Sequence, residues 1–514
     1  MLNVLLWLPL AVGLACFALP RRAVPVAAVL GTLATLALAI ALVADFQSGS
    51  AGLQHSVDES WIPDLGVRYQ LGVDGISLFL VLLTALLWAG ATAFSAFRTG
   101  ERRRIYFFML GLAETASLGA FLAQDLLLFV LFFDLMLVPF WFLIGAFGGE
   151  NRIAATTKMI VYTLVGSLLM LVAAIATAIL ASDQVGHLSF SLADLRAHVL
   201  GTASQYWIFC FFAAAFLIKM PAVLVHGWLP DAYRAGPLPV LALLSGVLSK
   251  VGAYGFLRVT LPLYPQATVH FQELVLLIGV ASILYGSAMA FTQTNVRLIA
   301  GYSSIAQLGF ITIGIFSLRP DGADGAVLQM VNHGLVVAPI FLIVALLWER
   351  SGTEDLTRLG GFAMRAPVLA TLFLIVTLAT LAMPGSANFI GEFYILFGVF
   401  QSKIVYAFVA AIGIALAAYY AIRLFQRTMH NRLPEGRESR EIALRDAAVL
   451  APLLACIVAL ALYPGLILGR ADSSVQDKVA AAGQETADSG QQTAESRIRG
   501  AFFAHSGTNA PRNP

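Results

Sequence analysis

Apolar residues run along this chain in long stretches, broken by brief polar or charged punctuation. A helix needs roughly 20 apolar residues to cross a bilayer. On that measure the chain has about fourteen spans. They lie near 2–20, 24–44, 75–97, 105–122, 125–147, 157–181, 207–229, 237–262, 271–292, 296–317, 325–348, 366–393, 402–424 and 445–469. Spans 4 and 5, and spans 9 and 10, touch near 123 and 294 with almost no linker. The pattern predicts an all-α polytopic membrane protein.

The loops alternate in charge. Arg21 and Arg22 follow span 1, "RTGERRR" (98–104) follows span 3, and Arg152 and Lys158 follow span 5. Arg234 follows span 7 and Arg297 follows span 9. Arg350, Arg358 and Arg365 follow span 11, and "RTMHNRLPEGRESREIALR" (427–445) follows span 13. The opposite loops hold few cations: Arg68, Arg196, Arg319 and Lys403. By the positive-inside rule the odd-numbered loops are cytoplasmic, and both termini face outward. The long loops 45–73 and 182–206 are then extracytoplasmic. A missed helix would scramble this alternation, so it also checks the count.

Composition narrows the class. The chain is 59% hydrophobic and 12% charged, against roughly 25% charged in soluble domains. A string of soluble domains is excluded. The net charge of +2 points to no particular partner. Cys16, Cys210 and Cys456 sit in apolar runs without ligand spacing, which argues against a disulfide frame, zinc site or iron–sulfur site. The cations at Arg21 and Arg22 follow the first apolar run, so that run reads as a retained helix and not a signal peptide. From Ala471 the chain turns polar and reads as a disordered tail with at most a short helix. Within it "RIRGAFF" (497–503) reads as solvated, with a partner or lipid contact as the alternative. No dinucleotide or P-loop motif is present, and no basic–aromatic module suggests nucleic acid.

Most charges sit in loops, which makes the exceptions informative. Glu114 lies in span 4, Asp134 in span 5, Lys219 in span 7, Lys250 in span 8, and Glu392 near the end of span 12. Each costs roughly 2.5–3.5 kcal/mol at a helix centre on insertion scales. Such residues face a bundle interior and mark ion or proton paths. The competing reading is a static pair, such as Asp134 with Lys219, that only fixes packing. A buried ion pair adds little stability, so five groups spread over several spans favour transport. Glu114, one turn from Ser117, fits either a relay or a satisfied structural carboxylate. His226 follows Lys219 by two turns, on the same face if the helix is regular, and His333 lies in span 11. Imidazole titrates near neutral pH, so both are candidate relay groups.

Two spans carry breakers. Pro221 cannot donate to the carbonyl of Leu217, and Pro384 frees that of Thr380. Such breaks survive in a bilayer where protein or a water-filled cavity satisfies the backbone. "KMP" (219–221) matches "AMP" (382–384). Both spans come fourth in a set of five if spans 4–8 and 9–13 are repeats, and an odd set inverts the second copy. Paired interrupted helices are the sequence sign of an inverted-repeat transporter. The organisation is then N-terminal helices (1–104), a first repeat (105–262), a second repeat (263–430), a cytoplasmic loop with helix 14 (431–470), and the tail (471–514).

Five segments carry a family resemblance: "FFDLMLVPFWFLIGAFGG" (132–149), "KMPAVLVHGWLPDAY" (219–233), "LSGVLSKVGAYGFLR" (244–258), "RLIAGYSSIAQLGF" (297–310) and "MPGSANFIGEF" (383–393). In this order they resemble the antiporter-like membrane subunits of respiratory complex I, the NADH-quinone oxidoreductase, over roughly residues 70–430. The resemblance implies a helix-5 carboxylate paired with a lysine on broken helix 7, at Asp134 and Lys219. It implies an onward lysine at Lys250, a helix-11 histidine at His333, and an ionisable group on helix 12 at Glu392. A glutamate there is similar to the chain M branch; the sister chains usually have lysine. The chain also departs from the family pattern. Asp134 stands where glutamate is usual, shortening the reach to Lys219 by a methylene, so the gap differs or holds water. Gln307 and "DAYRAGPLP" (231–239) replace segments that often carry histidine, so water does more of the transfer.

The resemblance further implies a bacterial inner-membrane location and proton translocation coupled to electron transfer elsewhere. FMN, iron–sulfur clusters, NADH and quinone then belong to partner subunits, and this chain holds no cofactor and binds no metal. Its partners are the other complex I subunits, above all neighbouring antiporter-like ones, together with lipid and protons. A multisubunit sodium/proton antiporter, a membrane-bound hydrogenase, or a spacer that moves no ions are the alternatives.

Overall fold

The computed structural model describes residues 1–98, 100, 102–431 and 440–506, with side chains to 485. Twelve described helices are long and apolar enough to cross a membrane, and two shorter apolar helices, Leu2–Ala18 and Pro367–Thr380, fill the remaining places in the chain order. Span 7 divides into Thr202–Lys219 and Leu229–Ala235, and span 12 into Pro367–Thr380 and Ala387–Ser402. Spans 8, 10 and 11 are buried over the whole of their apolar windows, whereas spans 2, 13 and 14 bury a third of theirs. Spans 8, 10 and 11 therefore form the centre of the bundle.

Caps mark the joins that hydropathy leaves blurred. Asp125 accepts from the amides of Leu127 and Leu128 at 2.9 and 3.0 Å, starting span 5. Asn295 accepts from Arg297 and Leu298 at 3.0 and 3.3 Å, starting span 10. Asp74 and Ser77 form a reciprocal capping box at the start of span 3. Each side chain satisfies amides that a helix start leaves without partners.

The loop 45–73 folds into an antiparallel hairpin, β1 (Gln54–Ile62) and β2 (Val67–Val73). Gly66, with φ +65°, serves the turn. The hairpin rests on the start of span 5, where the Gln124 amide donates to Gln70 O at 2.8 Å and the Arg68 amide to Asp125 at 3.1 Å. The side chains of Trp7 and Asn3 bond Tyr69, so the N-terminus lies on this same hairpin side.

Three boundaries correct the sequence reading. The polar tail is a helix, Gly465–Ser506. Ile467, Ala471, Ser474, Val475, Val479 and Ala482 are buried on this helix, which packs on spans 3 and 11, the C-terminal end of span 8 and the short helix Pro265–His270 that follows it. This stripe has helical spacing, but alanine and serine hide it from a hydropathy scale. The side chains of "RIRGAFF" (497–503) lie outside the described residues. Span 11 runs Pro320–Ser351, longer than predicted at both ends. The second half of span 12 continues to Ser402, so Glu392 sits well inside this half and not near its end.

Candidate functional site

The first break ends in a charge. Pro221 leaves Leu217 O without its helical donor, and the amide of Ala222 takes that place at 2.9 Å. The indole of Trp228 donates to Ile218 O at 3.0 Å, and the amide of Val223 donates to Ser282 Oγ of span 9 at 2.9 Å. Protein groups thus hold the opened backbone, as a bilayer interior requires. At the opening Lys219, 2% exposed, donates to Phe133 O at 3.0 Å and lies 4.4 Å from the Phe133 ring centroid.

The predicted Asp134–Lys219 pair is a neighbourhood and not a direct contact. Among the described residues no ion pair joins them. Asp134 sits beside the Ser167 hydroxyl and within electrostatic reach of Lys219. Its Oδ1 is buried without a partner. The short aspartate does not close the gap, and the ammonium turns to a carbonyl and a ring face, both sources of negative potential.

Span 8 carries Lys250 between two π-helical turns, Leu244–Leu248 and Phe256–Thr260. Such turns widen the helix and recur at functional sites. Lys250 Nζ lies 2.7 Å from His333 Nδ1, 3.4 Å from Ser249 Oγ, and also bonds Ser245 O. Gly246 and Gly334 permit this approach: a Cβ on Gly334 would stand 2.7 Å from Gly246 O. His333 Nε2 is buried and unpartnered.

Beyond His333 the row continues through amides. Gln329 Nε2 donates to Gln307 Oε1 at 2.6 Å, and Gln307 Nε2 donates to Glu392 Oε1 at 2.8 Å. Asn332 Nδ2 donates to Ala387 O, at the start of the second half of span 12, at 2.7 Å. Glu392 Oε2 is buried without a partner, and the buried hydroxyl of Tyr420 lies between Glu392 and Ser303. The structure therefore groups Asp134 with Lys219, Lys250 with His333, and Gln329 and Gln307 with Glu392.

Two candidates fall outside the row. Both carboxylate oxygens of Glu114 are buried and unpartnered, and the side chain lines a cavity of about 10 Å³ with Cys16, Thr32 and Thr92 among spans 1–4. Ser117 donates to Ala113 O and does not satisfy it. The helix ends before His226, so the same-face spacing from Lys219 does not hold. His226 Nε2 instead meets Tyr285 Oη at 3.1 Å.

Sequence reading missed Gln329, Asn332 and Tyr420. "QMVNH" (329–333) was the available signal: three polar residues in one wholly buried helix. It also missed Arg258, inside span 8, which pairs with Asp74 at 2.7 Å; both are buried. This pair of opposite charges, with Arg258 Nε also donating to Tyr254 Oη at 2.9 Å, suits anchoring.

The sequence profile of a family described as NADH:quinone oxidoreductase/Mrp antiporter, transmembrane, matches residues 123–417. NADH-quinone oxidoreductase subunit M of Rhodobacter capsulatus is 35% identical over 483 residues, covering 91% of this chain and 94% of its own length. Subunit M of Escherichia coli K12 is 35% identical over 456 residues, covering 86% and 90%. A chain of respiratory complex I from Thermus thermophilus with bound NADH aligns with TM-score 0.86 and 31% identity, over 94% of this chain and 99% of that one. A chain of the Mrp complex from a Dietzia species shares the fold, with TM-score 0.81 and 21% identity over 94% and 98%.

Proposed function

Since this chain belongs to the NADH:quinone oxidoreductase/Mrp antiporter transmembrane family, we propose that its row of buried polar groups is the proton path of an NADH-quinone oxidoreductase membrane subunit. The chain is a membrane subunit of such an oxidoreductase, and the complex to which it contributes is the enzyme. On this reading FMN, iron–sulfur clusters, NADH and quinone reside in partner subunits. The location is the bacterial inner membrane, the hairpin side faces outward with both termini, and spans 4–8 and 9–13 are the inverted repeats.

One observation carries the reading. The most deeply buried helices, where apolar residues would pack at no desolvation cost, hold Lys250, His333, Gln329 and Gln307, and Gln307 reaches the buried Glu392 of span 12. Intramembrane ionisable groups in such places mark ion pathways.

Asp134 and Lys219 act as one coupled unit. With Asp134 near, Lys219 keeps its proton against Phe133 O and the ring. Displacing or neutralising Asp134 removes the carboxylate that, among the described residues, acts on Lys219, and drives its proton toward Lys250. Lys250 hands it to His333 across the 2.7 Å contact. The amides of Gln307 and Gln329 pass no proton themselves; they orient Glu392. His333 Nε2 and Glu392 Oε2, free of protein partners, can hydrogen-bond water that completes the transfer. Glu392 delivers the proton to the outer side.

Lys219→Ala tests this reading in the assembled complex. Proton translocation driven by NADH oxidation is expected to vanish while the subunits still co-purify. A Lys219→Ala complex that pumps like the wild type would overturn it. Co-purification of flavin and iron–sulfur subunits separates this reading from an antiporter complex, which would bring only membrane subunits.

A further inference from the structure

A proton that leaves Lys219 has two ways to go: onward to Lys250, or outward to the hairpin side. Six aromatic rings stand across the second way. Phe121 lies in the last turn of span 4. Phe129 and Phe133 precede Asp134 on span 5, Phe216 precedes Lys219 on span 7, and Tyr254 and Phe256 follow Lys250 on span 8. Spans 4 and 8 end, and spans 5 and 7 begin, on the hairpin side. There the Leu126 amide of span 5 bonds Phe190 O of the loop before span 7, and Arg258, one turn after Tyr254, bonds Asp74 at the start of span 3. None of the six rings is more than 1% exposed.

The rings touch in one continuous set. Phe133 lies 5.8 Å from Phe129 and 6.0 Å from Phe216, ring centre to ring centre. Phe129 lies 6.3 Å from Phe216 and 6.4 Å from Tyr254. Phe216 meets Phe256 edge-on at 5.2 Å, and Tyr254 meets Phe121 edge-on at 5.2 Å. These are the spacings of packed aromatic side chains. Span 8 closes on Phe216 through two glycines: a Cβ on Gly255 would stand 2.5 Å from the ring, and one on Gly252 2.6 Å from Phe216 O.

A proton crosses a protein along groups that hydrogen-bond, or along water that such groups hold. The ring set offers neither. Tyr254 has the only polar side-chain atom of the six, and that hydroxyl is already engaged. It donates to Phe121 O at 2.9 Å and accepts from Arg258 Nε at 2.9 Å. The face of Phe133 attracts the Lys219 ammonium, 4.4 Å away, but has no atom to take its proton. A buried water needs about two to four polar partners, and an ion among bare rings bears the cost of an unpaired buried charge. The second half of the bundle differs. Gln329 Oε1, Asn332 Oδ1 and Asn388 Oδ1 join Glu392 Oε2 as buried acceptors without protein partners, and such atoms can hold water.

We propose that the six rings form a dry seal that bars proton exchange between Lys219 and the hairpin side. The first half then exchanges protons only along the row, and outward release is left to the second half. The role of Lys219 rests on the proton-path reading above; the seal is a property of the resting protein.

Passive proton flux through the purified complex in liposomes, after an acid pulse and without NADH, tests the seal without turnover. Phe129→Ser with Phe216→Ser removes two touching rings and supplies hydroxyls that can hold water. Flux should rise severalfold over the wild type, and adding Lys219→Ala should return it to the wild-type level. Phe129→Leu with Phe216→Leu keeps the place apolar and should stay as tight as the wild type. Unchanged flux in the serine pair overturns the proposal. So does a leucine pair that leaks as much as the serine pair, or a serine-pair leak that Lys219→Ala leaves untouched. The wild-type complex serves if the serine pair fails to assemble. Hydroxyl radicals generated from bound water should leave Phe129 and Phe216 unmodified, and oxidation of either ring overturns the proposal. NADH-driven pumping by Lys219→Ala alone decides the proton-path reading, and passive flux decides the seal, so the two can fail separately.

Discussion

The two broken helices solve one problem in different ways. In span 7 the break coincides with the charge: Lys219 is the last residue of the first half and donates to Phe133 O. In span 12 the corresponding place is Ala382, and the ionisable group, Glu392, waits inside the second half, held by Gln307. The first break folds back through the Ala222 amide on Leu217 O and is also held from outside its ladder, by the Trp228 indole as donor and the Ser282 hydroxyl as acceptor. The second folds back on itself, with the Met383 amide reaching Leu378 O at 3.2 Å and Ser386 the carbonyl of Met383 at 2.8 Å. A helix break thus opens room for polar groups without dictating where the charge stands. In the first half a cation meets backbone and ring; in the second an acid meets side-chain amides.

If the halves lie on one path, removing either charge should bring the same result despite the different geometry. Glu392→Gln keeps the shape and can still bond Gln307, but it cannot exchange a proton. Translocation by the assembled complex should drop about a hundredfold, the low end of what a positioned acid–base group contributes, to the same floor as Lys219→Ala. A Glu392→Gln complex that retains most of its pumping would separate the halves into independent routes.

The next effect is on stability and should be unequal. Gln307→Leu strips partners from both Glu392 and Gln329 in a buried site, and a buried group left unsatisfied costs about 1–3 kcal/mol. Ser282→Ala removes one acceptor from the Val223 amide in the first break, near the lower end of that range. Thermal midpoints of the purified complex should fall more for Gln307→Leu than for Ser282→Ala. The reverse order would mean that the first break, and not the amide chain, is the more tightly held.

Much of this contrast was legible in the sequence, because apolar run length and breaker residues act locally. The order of the spans, Pro221, Pro384 and the buried lysines follow from it directly. The tail was misread because Ala471, Ser474 and Ala482 bury small surfaces that composition counts as neutral. The short Asp134 side chain signalled a gap to Lys219, but the size of that gap was not legible, because only the packing of spans 5 and 7 sets the distance. Glu392 was placed too close to a helix end because Phe393 to Ser402, with its aromatics and polar residues, did not read as a continuous helix. Gln329 and Asn332 escaped because neutral amides carry no charge signal, though their burial is as demanding as a charge's hydrogen bonding.

The smallest effect tests the backbone itself. Leu224 and Ala382 both adopt left-handed φ, +83° and +51°, a region that costs an ordinary residue roughly 1–2 kcal/mol. Glycine removes that cost but gains freedom in the unfolded chain, worth about 0.4–1 kcal/mol. Ala382 is buried at 5% exposure and loses only a methyl, so Ala382→Gly should raise stability by no more than about 1 kcal/mol. Leu224 is 81% exposed, on a surface that faces lipid or a partner. Leu224→Gly relieves the same strain but gives up a side chain's contact there, and should show no gain. A higher thermal midpoint for Ala382→Gly with none for Leu224→Gly would mark the second break as held by its backbone and the first by its surroundings. A lower midpoint for Ala382→Gly would mean that the second break, too, depends on side-chain packing rather than on a strained turn.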